Sequence, residues 1–287
     1  MASTLEQPQE RLARMVQTNG IEMHMAEAGD GPPLTFIHGL GWDHRMWLPA
    51  IERYAGNFRT IAGDSRGHGH SAKPGGPYTM AQFADDWAGA LESISALPGC
   101  VVGLSQGGMV AQALAIRAPH LIKALVLVST TCKEDPETVA NMSDRLENMR
   151  NTGARAGAEI AAKSIFSEGF RAANPDYIEA FVDARAAQPQ EPLISAMAAL
   201  KDFNYCADLE ALDIPTLVIS GGEDALTPPD AVREVAVHIP GAKLVEMPGA
   251  GHIIPAEQPA AFFEIIDDFL SQHDAATNRH TQEPDNV

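Results

Sequence analysis

The sequence predicts an α/β fold built on a mostly parallel sheet. Short apolar runs alternate with segments of helical periodicity along most of the chain, which is the pattern of strands joined by crossover helices. A Gly-x-Ser-x-Gly pattern at 103–107 stands between one such run and a helical segment. An acid, Asp224, and a histidine, His252, each follow a later apolar run. Because open α/β sheets bind ligands at the carboxyl ends of their strands, these residues indicate a functional edge.

The predicted strands are short and are separated by turn signals. Asn19-Gly20 between two apolar runs indicates a hairpin, and a glycine- and proline-rich stretch at 29–33 ends the second strand. Strands are predicted at 15–16, 21–28, 34–37, 58–63, 100–104, 124–128, 214–220 and 242–247, and helices at 80–95 and 106–118. We therefore expect an eight-stranded sheet flanked by helices.

The middle of the chain differs in composition from both ends. Residues 132–207 lack a strong apolar run and are rich in alanine and charged residues. We expect four helices there, forming a cap inserted between two strands. The predicted units are a first core segment at 1–131, the cap at 132–207, a second core segment at 208–273 and a disordered polar tail at 274–287. Pockets favour such interfaces, so the substrate is expected between cap and core.

Composition excludes several classes of partner. The chain has 287 residues and a formal net charge of -18, which disfavours nucleic acid and anionic membrane surfaces. It opens without a basic segment followed by an apolar stretch, and no apolar run approaches the roughly 20 residues that span a bilayer. Cys100, Cys132 and Cys206 contain no C-x-x-C pair. They predict no disulfide framework and suit a reducing cytoplasm.

Ser105, Asp224 and His252 form the predicted catalytic set. A serine hydroxyl needs a base to become nucleophilic, and the base needs an orienting acid. Glycines two residues before and after Ser105 let strand and helix crowd at a strained turn that lifts the hydroxyl above the sheet. The chain order of serine, acid and histidine also fits. The rivals for the acid are the adjacent Glu223 and, less favoured, Asp64 and Asp135.

Five motifs resemble those of the α/β-hydrolase-fold serine hydrolases. They are FIHGLG at 36–41, DSRGHGHS at 64–71, GLSQG at 103–107, GEDALTP at 222–228, and GH at 251–252 followed by PAEQP at 255–259. The resemblance covers roughly residues 20–273, and it implies this fold and a Ser–His–Asp triad. Within the family, segments 38–47 and 103–105 are most similar to the 3-oxoadipate enol-lactonase and carboxylesterase branch.

The resemblance also implies an oxyanion hole and a pocket. The oxyanion donors would be the backbone amides of Leu40, with Gly41 as the alternative, and of Gln106. Trp42, His44 and Arg45 on the same loop either touch substrate or fix the loop. Candidate pocket residues are Gly41, Trp42, His44, Phe166, Phe170, Phe181 and Met197, and the wider set of cap candidates adds Met142, Met149, Tyr177, Phe203 and Tyr205. Most apolar cap residues are expected simply to pack cap against core.

Neither a metal nor a cofactor is expected. His68-x-His70 invites a metal interpretation, but no carboxylate or cysteine stands at a spacing that would complete a zinc site. His38, His68 and His70 are instead interpreted as polar groups behind the active site. The short glycine patterns at 39–41 and 67–69 do not make a dinucleotide fingerprint.

The predicted function is hydrolysis of a carboxylic ester or lactone of a small molecule through an acyl-enzyme on Ser105. A carbon–carbon bond hydrolase acting on a β-diketone or dienoate, or a cofactor-free perhydrolase, would use the same residues. A small-molecule receptor on this fold is the alternative of a different class. A lactone carrying a free carboxylate would need a cation, for which the cap offers Arg145, Arg150, Arg155, Arg171, Arg185 and Lys201. The sequence carries no signal for the oligomeric state.

Overall fold

Eight strands form one sheet in the computed structural model, which describes residues 12–96, 98–134, 153–201 and 203–273. The strands are β1 (Leu12–Thr18), β2 (Ile21–Ala28), β3 (Pro33–Ile37), β4 (Arg59–Gly63), β5 (Gly99–Leu104), β6 (Ile122–Val128), β7 (Thr216–Gly221) and β8 (Lys243–Met247). Their order is β1-β2-β4-β3-β5-β6-β7-β8. β2 pairs antiparallel with β1 and β4, and the other neighbours pair parallel. The predicted mostly parallel sheet of eight strands is confirmed.

Helices cover both faces of this sheet. The helices are α1 (Leu48–Tyr54), α2 (Met80–Ser93), α3 (Gln106–Arg117), α4 (Ala154–Ile165), α5 (Glu168–Ala173), α6 (Pro175–Ala186), α7 (Gln190–Ala198), α8 (Cys206–Leu209), α9 (Pro229–His238), α10 (Ile254–Glu257) and α11 (Pro259–Gln272). Short 3₁₀ turns lie at His44–Trp47 and Pro119–Leu121. α2 shows why the sequence starts a helix: Thr79 and Gln82 form a reciprocal capping box.

The core lies in two apolar layers, one on each face of the sheet. Phe83 and Trp87 of α2 and Leu114 of α3 belong to one layer, and Phe262 and Phe269 of α11 belong to the other. All residues of β5 are buried, because a central parallel strand is covered on both faces and therefore reads as a continuous apolar run. This double burial makes the carboxyl edge of the sheet a rigid base for loops.

Five helices, α4 to α8, lie between β6 and β7 in the described part of the chain, and the first four of them follow one another at 154–198. α4 packs along α6, and we call residues 154–198 the inserted helical segment. Residues 135–152 and the predicted tail at 274–287 lie outside the described residues. The candidates Asp135, Met142, Arg145, Met149 and Arg150 therefore also lie outside them.

One expectation about the cysteines is wrong. Cys132, just after β6, and Cys206, at the start of α8, form a disulfide across a separation of 74 residues, with Cα atoms 5.2 Å apart. The two cysteines meet only because the chain returns to the sheet after the helices that follow β6, so their spacing in the sequence does not predict the bond. The cysteines thus give no support to a reducing compartment. Within the described residues, no helix is both long enough and apolar enough to cross a membrane.

Candidate active site

Ser105 occupies the turn between β5 and α3. Its backbone lies at φ 55° and ψ −121°, a conformation that costs a non-glycine residue about 1–3 kcal/mol. Neighbouring elements hold it there: the Ser105 amide donates to the carbonyl of Val128 at 2.8 Å, and the Ser105 carbonyl accepts from Thr130 Oγ1 at 2.8 Å. The strained turn is therefore fixed by β6, as a rigid nucleophile site requires.

Gly103 and Gly107 allow the close approach on which this turn depends. A Cβ at Gly103 would lie 2.4 Å from the Gly107 carbonyl oxygen, and a Cβ at Gly107 would lie 2.3 Å from the Ile37 carbonyl oxygen. Both distances are well inside van der Waals contact. Only glycine lets the first turn of α3 pass so close to β3 and β5, which is the reason that the sequence pattern carries glycine at both positions.

Asp224 and His252 lie together beyond the ends of β7 and β8. His252 Nδ1 is 2.8 Å from Asp224 Oδ2, and the two residues are only 2% and 3% exposed. Asp224 Oδ1 accepts the amides of Leu226 and Thr227 at 2.8 and 2.9 Å, and Thr227 Oγ1 donates to Oδ2 at 2.6 Å. The carboxylate is thus locked in place and holds one ring nitrogen of His252.

The Asp224 carboxyl is kept ionised despite its burial. Burial alone raises its pKa, but the neighbouring His252 and the hydrogen bonds from His252 and Thr227 outweigh burial, so the pKa falls below its usual value. The two rival acids within the described residues, Glu223 and Asp64, do not occupy this position. Glu223 is exposed, and Asp64 is buried against His44 on another loop.

The loop after β3, which carries Leu40 and which we call the oxyanion loop, lies against the nucleophile turn. A Cβ added to Gly39 would be 3.2 Å from Ser105 Cβ, so Leu40 follows immediately beside the serine. Gln106 is the first residue of α3, where amides have no acceptor within the helix and the helix dipole favours negative charge. The Gln106 side chain donates to the Ala196 carbonyl at 2.8 Å, which ties this turn to α7.

A cavity of about 570 Å³ opens above these residues, within the size range of small-molecule pockets. Leu40, Ser105, Gln106 and His252 all line it. The sheet core and the inserted helical segment share its wall, and the apolar part of the lining includes Trp42, Met109, Ala161, Leu193, Met197 and Leu226. The predicted serine, the predicted base and the residues of the predicted oxyanion donors therefore line one cavity.

Only Trp42 and Met197 of the seven predicted pocket residues line this cavity. The three phenylalanines pack elsewhere as an aromatic group, with the ring of Phe166 5.5 Å from that of Phe170 and 5.2 Å from that of Phe181. For them, packing of cap against core is the correct interpretation.

Gly41 and His44, on the loop after β3, were also predicted to line the pocket, and they do not. His44 is buried against Asp64, with Nδ1 2.8 Å from Oδ1. Gly41 is covered by the guanidinium of Arg185, because a Cβ at Gly41 would fall 0.9 Å from Nη1. Arg45, whose role the sequence left open, pairs with Asp43 at 2.6 Å. These three residues do not line the cavity; their described contacts fix the loop.

Arg185 is the functional candidate that the sequence could not single out. It lines the cavity, and its Nη1 donates to the Leu40 carbonyl at 3.3 Å. Burial lowers its pKa to about 10, which leaves the guanidinium charged at neutral pH. No carboxylate pairs with it among the described residues. Arg155, by contrast, is held by Glu159, Glu179 and Asp183, and it does not line the cavity.

His38 and His68 lie behind the oxyanion loop. His38 Nδ1 donates to the Gly39 carbonyl at 2.8 Å, and His38 Nε2 accepts the Ser65 amide at 2.9 Å. Burial lowers the pKa of His38, and burial together with the nearby His38 lowers that of His68 to about 3. Both rings are therefore neutral, and His38 serves to orient the peptide that precedes Leu40.

Thr227 and Gln188 were missed at the sequence level. Thr227 donates to Asp224, and a hydroxyl residue three positions after an aspartate is a turn signal that could have identified it. Gln188 Nε2 donates to the Gly41 carbonyl at 2.8 Å. No sequence signal marks Gln188 or Arg185, since both act on a loop about 145 residues away in the chain.

The alpha/beta hydrolase fold family matches residues 32–259. The chain belongs to this family. The match spans the strand edge that carries Ser105, Asp224 and His252, so the hydrolase fold and the cavity lie within the matched region.

Named relatives cover most of the chain. A 3-oxoadipate enol-lactonase of Acinetobacter baylyi is 30% identical, over 83% of this chain and 88% of that protein. A 2-hydroxymuconate semialdehyde hydrolase of Pseudomonas putida is 29% identical, over 92% and 96%. A thermophilic esterase from Thermogutta terrifontis, solved with malate bound, superposes with a TM-score of 0.84 at 30% identity, covering 93% of this chain and all of the esterase. The chain is therefore a hydrolase by family.

Proposed function

We propose that this hydrolase cleaves a carboxylic ester or lactone of a small molecule through an acyl-enzyme on Ser105. One observation carries the proposal: Ser105, on a strained turn, and His252, whose Nδ1 lies 2.8 Å from the buried Asp224 Oδ2, line the same cavity. Nucleophile, base and orienting acid are the three groups that acyl transfer needs. The enol-lactonase and esterase relatives support this class of substrate.

The reaction follows from these positions. His252 accepts the Ser105 proton as the Ser105 oxygen attacks the carbonyl carbon, while Asp224 holds the ring tautomer and stabilises its charged form. The amides of Leu40 and Gln106 receive the oxyanion, and each donor of this kind is worth about 3 kcal/mol in comparable enzymes. His252 then protonates the leaving alcohol, which stays tethered in a lactone. Water activated by His252 finally releases the acid and restores the Ser105 hydroxyl.

Arg185 indicates the charge of the substrate. A half-buried cation that pairs with no carboxylate among the described residues is costly unless an anion reaches it, and Arg185 lines the cavity wall beside Leu40. Guanidinium groups bind carboxylates through paired hydrogen bonds. We infer that the substrate carries a carboxylate besides the ester or lactone that is cleaved.

A carbon–carbon bond hydrolase is the second candidate. The semialdehyde hydrolase relative supports it, because its named substrate is a dienoate. The same serine, histidine and cation would serve that reaction, so the two candidates differ in the bond that is cleaved rather than in the residues used.

The test compares substrates in matched pairs. Methyl and p-nitrophenyl monoesters of dicarboxylic acids, their uncharged diesters and small lactones would be assayed with wild type, Ser105→Ala and Arg185→Met. We expect turnover beyond one equivalent per chain, a loss of at least about 10³-fold in Ser105→Ala, and a fall in kcat/KM that is larger for charged than for uncharged substrates in Arg185→Met.

Other outcomes separate the alternatives. Turnover of a dienoate or β-diketone, with none of the esters or lactones, would favour the carbon–carbon hydrolase. Binding of ligands without turnover would favour a receptor. An equal loss for charged and uncharged esters in Arg185→Met would mean that Arg185 only positions the oxyanion loop through the Leu40 carbonyl.

A further inference from the structure

Three histidines converge on one buried carboxylate outside the cavity. His24 belongs to β2, His44 to the 3₁₀ turn after the oxyanion loop, and Asp64 and His70 to the loop after β4. One potential ligand atom from each of these four residues lies within 4.8 Å of all the others. None of the four lines the cavity described above, so their convergence is not part of the proposed hydrolytic machinery. We call these residues the His24–His70 cluster.

The distances within the cluster suit a single ion. The His24 ring centroid is 4.6 Å from that of His44 and 4.9 Å from that of His70, and the His44 and His70 centroids are 5.8 Å apart. Rings bound to one tetrahedral zinc at the usual zinc–nitrogen length have centroids roughly 5 Å apart. Asp64 Oδ2 is 3.4 Å from His24 Nδ1, close to the separation of neighbouring ligands on such an ion.

Backbone hydrogen bonds account for the burial of the Asp64 carboxylate, but they do not account for the burial of His24 Nδ1. Asp64 Oδ1 and Oδ2 accept the backbone amides of His44 and His70, each at 2.7 Å. The His24 side chain is only 9% exposed, yet within the part of the chain that the structure describes its Nδ1 makes no well-formed hydrogen bond, and Asp64 Oδ2 lies 3.4 Å away. Buried polar atoms are rarely left in this state without a ligand or water.

The geometry points to a structural site for a divalent transition-metal ion of the kind that imidazole favours, such as zinc, held by His24, His44, Asp64 and His70. The ligand set of three imidazoles and one carboxylate matches the chemistry of these ions. His70 is exposed, which gives the ion a route in from solvent.

The position of the cluster gives the ion a role in the fold. His44 follows Leu40 by four residues, and Asp64 lies on the adjacent loop. An ion there would join β2, the oxyanion loop and the loop after β4. We therefore expect it to stabilise the folded chain and the loop that carries Leu40, without contacting substrate.

The experiment measures metal binding directly, on a chain without affinity-tag histidines and after dialysis against a chelator. Cobalt(II) would be followed by its visible absorption, and zinc by calorimetry. We expect one equivalent per chain, an absorption typical of four-coordinate cobalt, and a rise in the unfolding temperature with zinc. His70→Gln should weaken binding at least about 100-fold, since even second-shell changes cost 10–100-fold. His24→Gln should do the same.

His120→Gln is the matched control, because His120 is an exposed histidine outside the cluster. It should bind metal as wild type does. His70 is exposed as well, so His70→Gln keeps the test valid even if the buried His24→Gln variant fails to fold. The proposal is overturned if wild type binds no stoichiometric metal, or if His70→Gln binds as tightly as His120→Gln.

Discussion

Reduction of the Cys132–Cys206 disulfide should destabilise the protein by a predictable amount. The bond closes a loop of 74 residues, and a loop of that length lowers the entropy of the unfolded chain by about 15 cal/mol/K, or about 4 kcal/mol at 25 °C. Both sulfurs belong to buried residues that flank the inserted helical segment, Cys132 before it and Cys206 after it. The bond therefore limits how far that segment and its side of the cavity can separate from the sheet when the chain unfolds.

Urea unfolding with and without dithiothreitol measures this effect. We expect the free energy of unfolding to fall by about 4 kcal/mol and the dependence on urea to steepen, because the reduced unfolded chain exposes more surface. A thiol count checks the state of the bond: the unfolded oxidised chain should give one thiol, from Cys100, and the reduced chain three. In the native protein Cys100 should be unreactive, since burial raises its pKa to about 12.

A Cys132→Ala/Cys206→Ala double variant is the control, and dithiothreitol should leave its stability unchanged. Two results would refute the reasoning. Three thiols in the unfolded chain without reductant would show that the bond does not form. A change below about 1 kcal/mol, with the thiol count proving complete reduction, would show that loop closure does not govern its contribution.

Three further predictions concern the proposed site. Asp224→Asn should lower kcat by about 10⁴-fold with the fold intact, because the wrong His252 tautomer would be held, whereas exposed Glu223→Gln should have little effect; steady-state kinetics on the substrate found for wild type decides this. Gly107→Ala should lower the free energy of unfolding by several kcal/mol, since the added Cβ would lie 2.3 Å from a carbonyl oxygen. Gly157→Ala in α4, where an added Cβ meets open space, is the control and should raise the free energy of unfolding by about 0.5–1 kcal/mol. Thermal unfolding measures both changes. The pKa of Asp224 is lower in the folded chain than in the unfolded one, so its ionisation stabilises the fold above the unfolded pKa of about 4, and this contribution is lost as pH falls through the native pKa. Between pH 6 and 3, the free energy of unfolding of Asp224→Asn, measured with denaturant, should therefore depend less on pH than that of wild type. An equal dependence in the two proteins would contradict the prediction.

The sequence alone determined the sheet and identified the candidate residues at its edge. Strand runs are local signals, and a Cβ at either glycine flanking Ser105 would lie only 2.3–2.4 Å from a carbonyl oxygen, so both features can be predicted from short stretches of sequence. The acid and histidine could be predicted because each lies on the loop that follows a strand, and parallel strands bring their carboxyl ends to one edge. Asp224 and His252 accordingly lie 2.8 Å apart.

Only the tertiary structure decided which side chains from distant segments meet. Arg185 reaches the Leu40 carbonyl across 145 positions, and Cys132 reaches Cys206 across 74. Phe166, Phe170 and Phe181 have the apolar character expected of a pocket, but they pack against one another instead. His24 and Asp64 likewise approach only because β2 and β4 pair. Helical and strand periodicity report which face of an element is buried, whereas the partner on that face is set by how the elements pack.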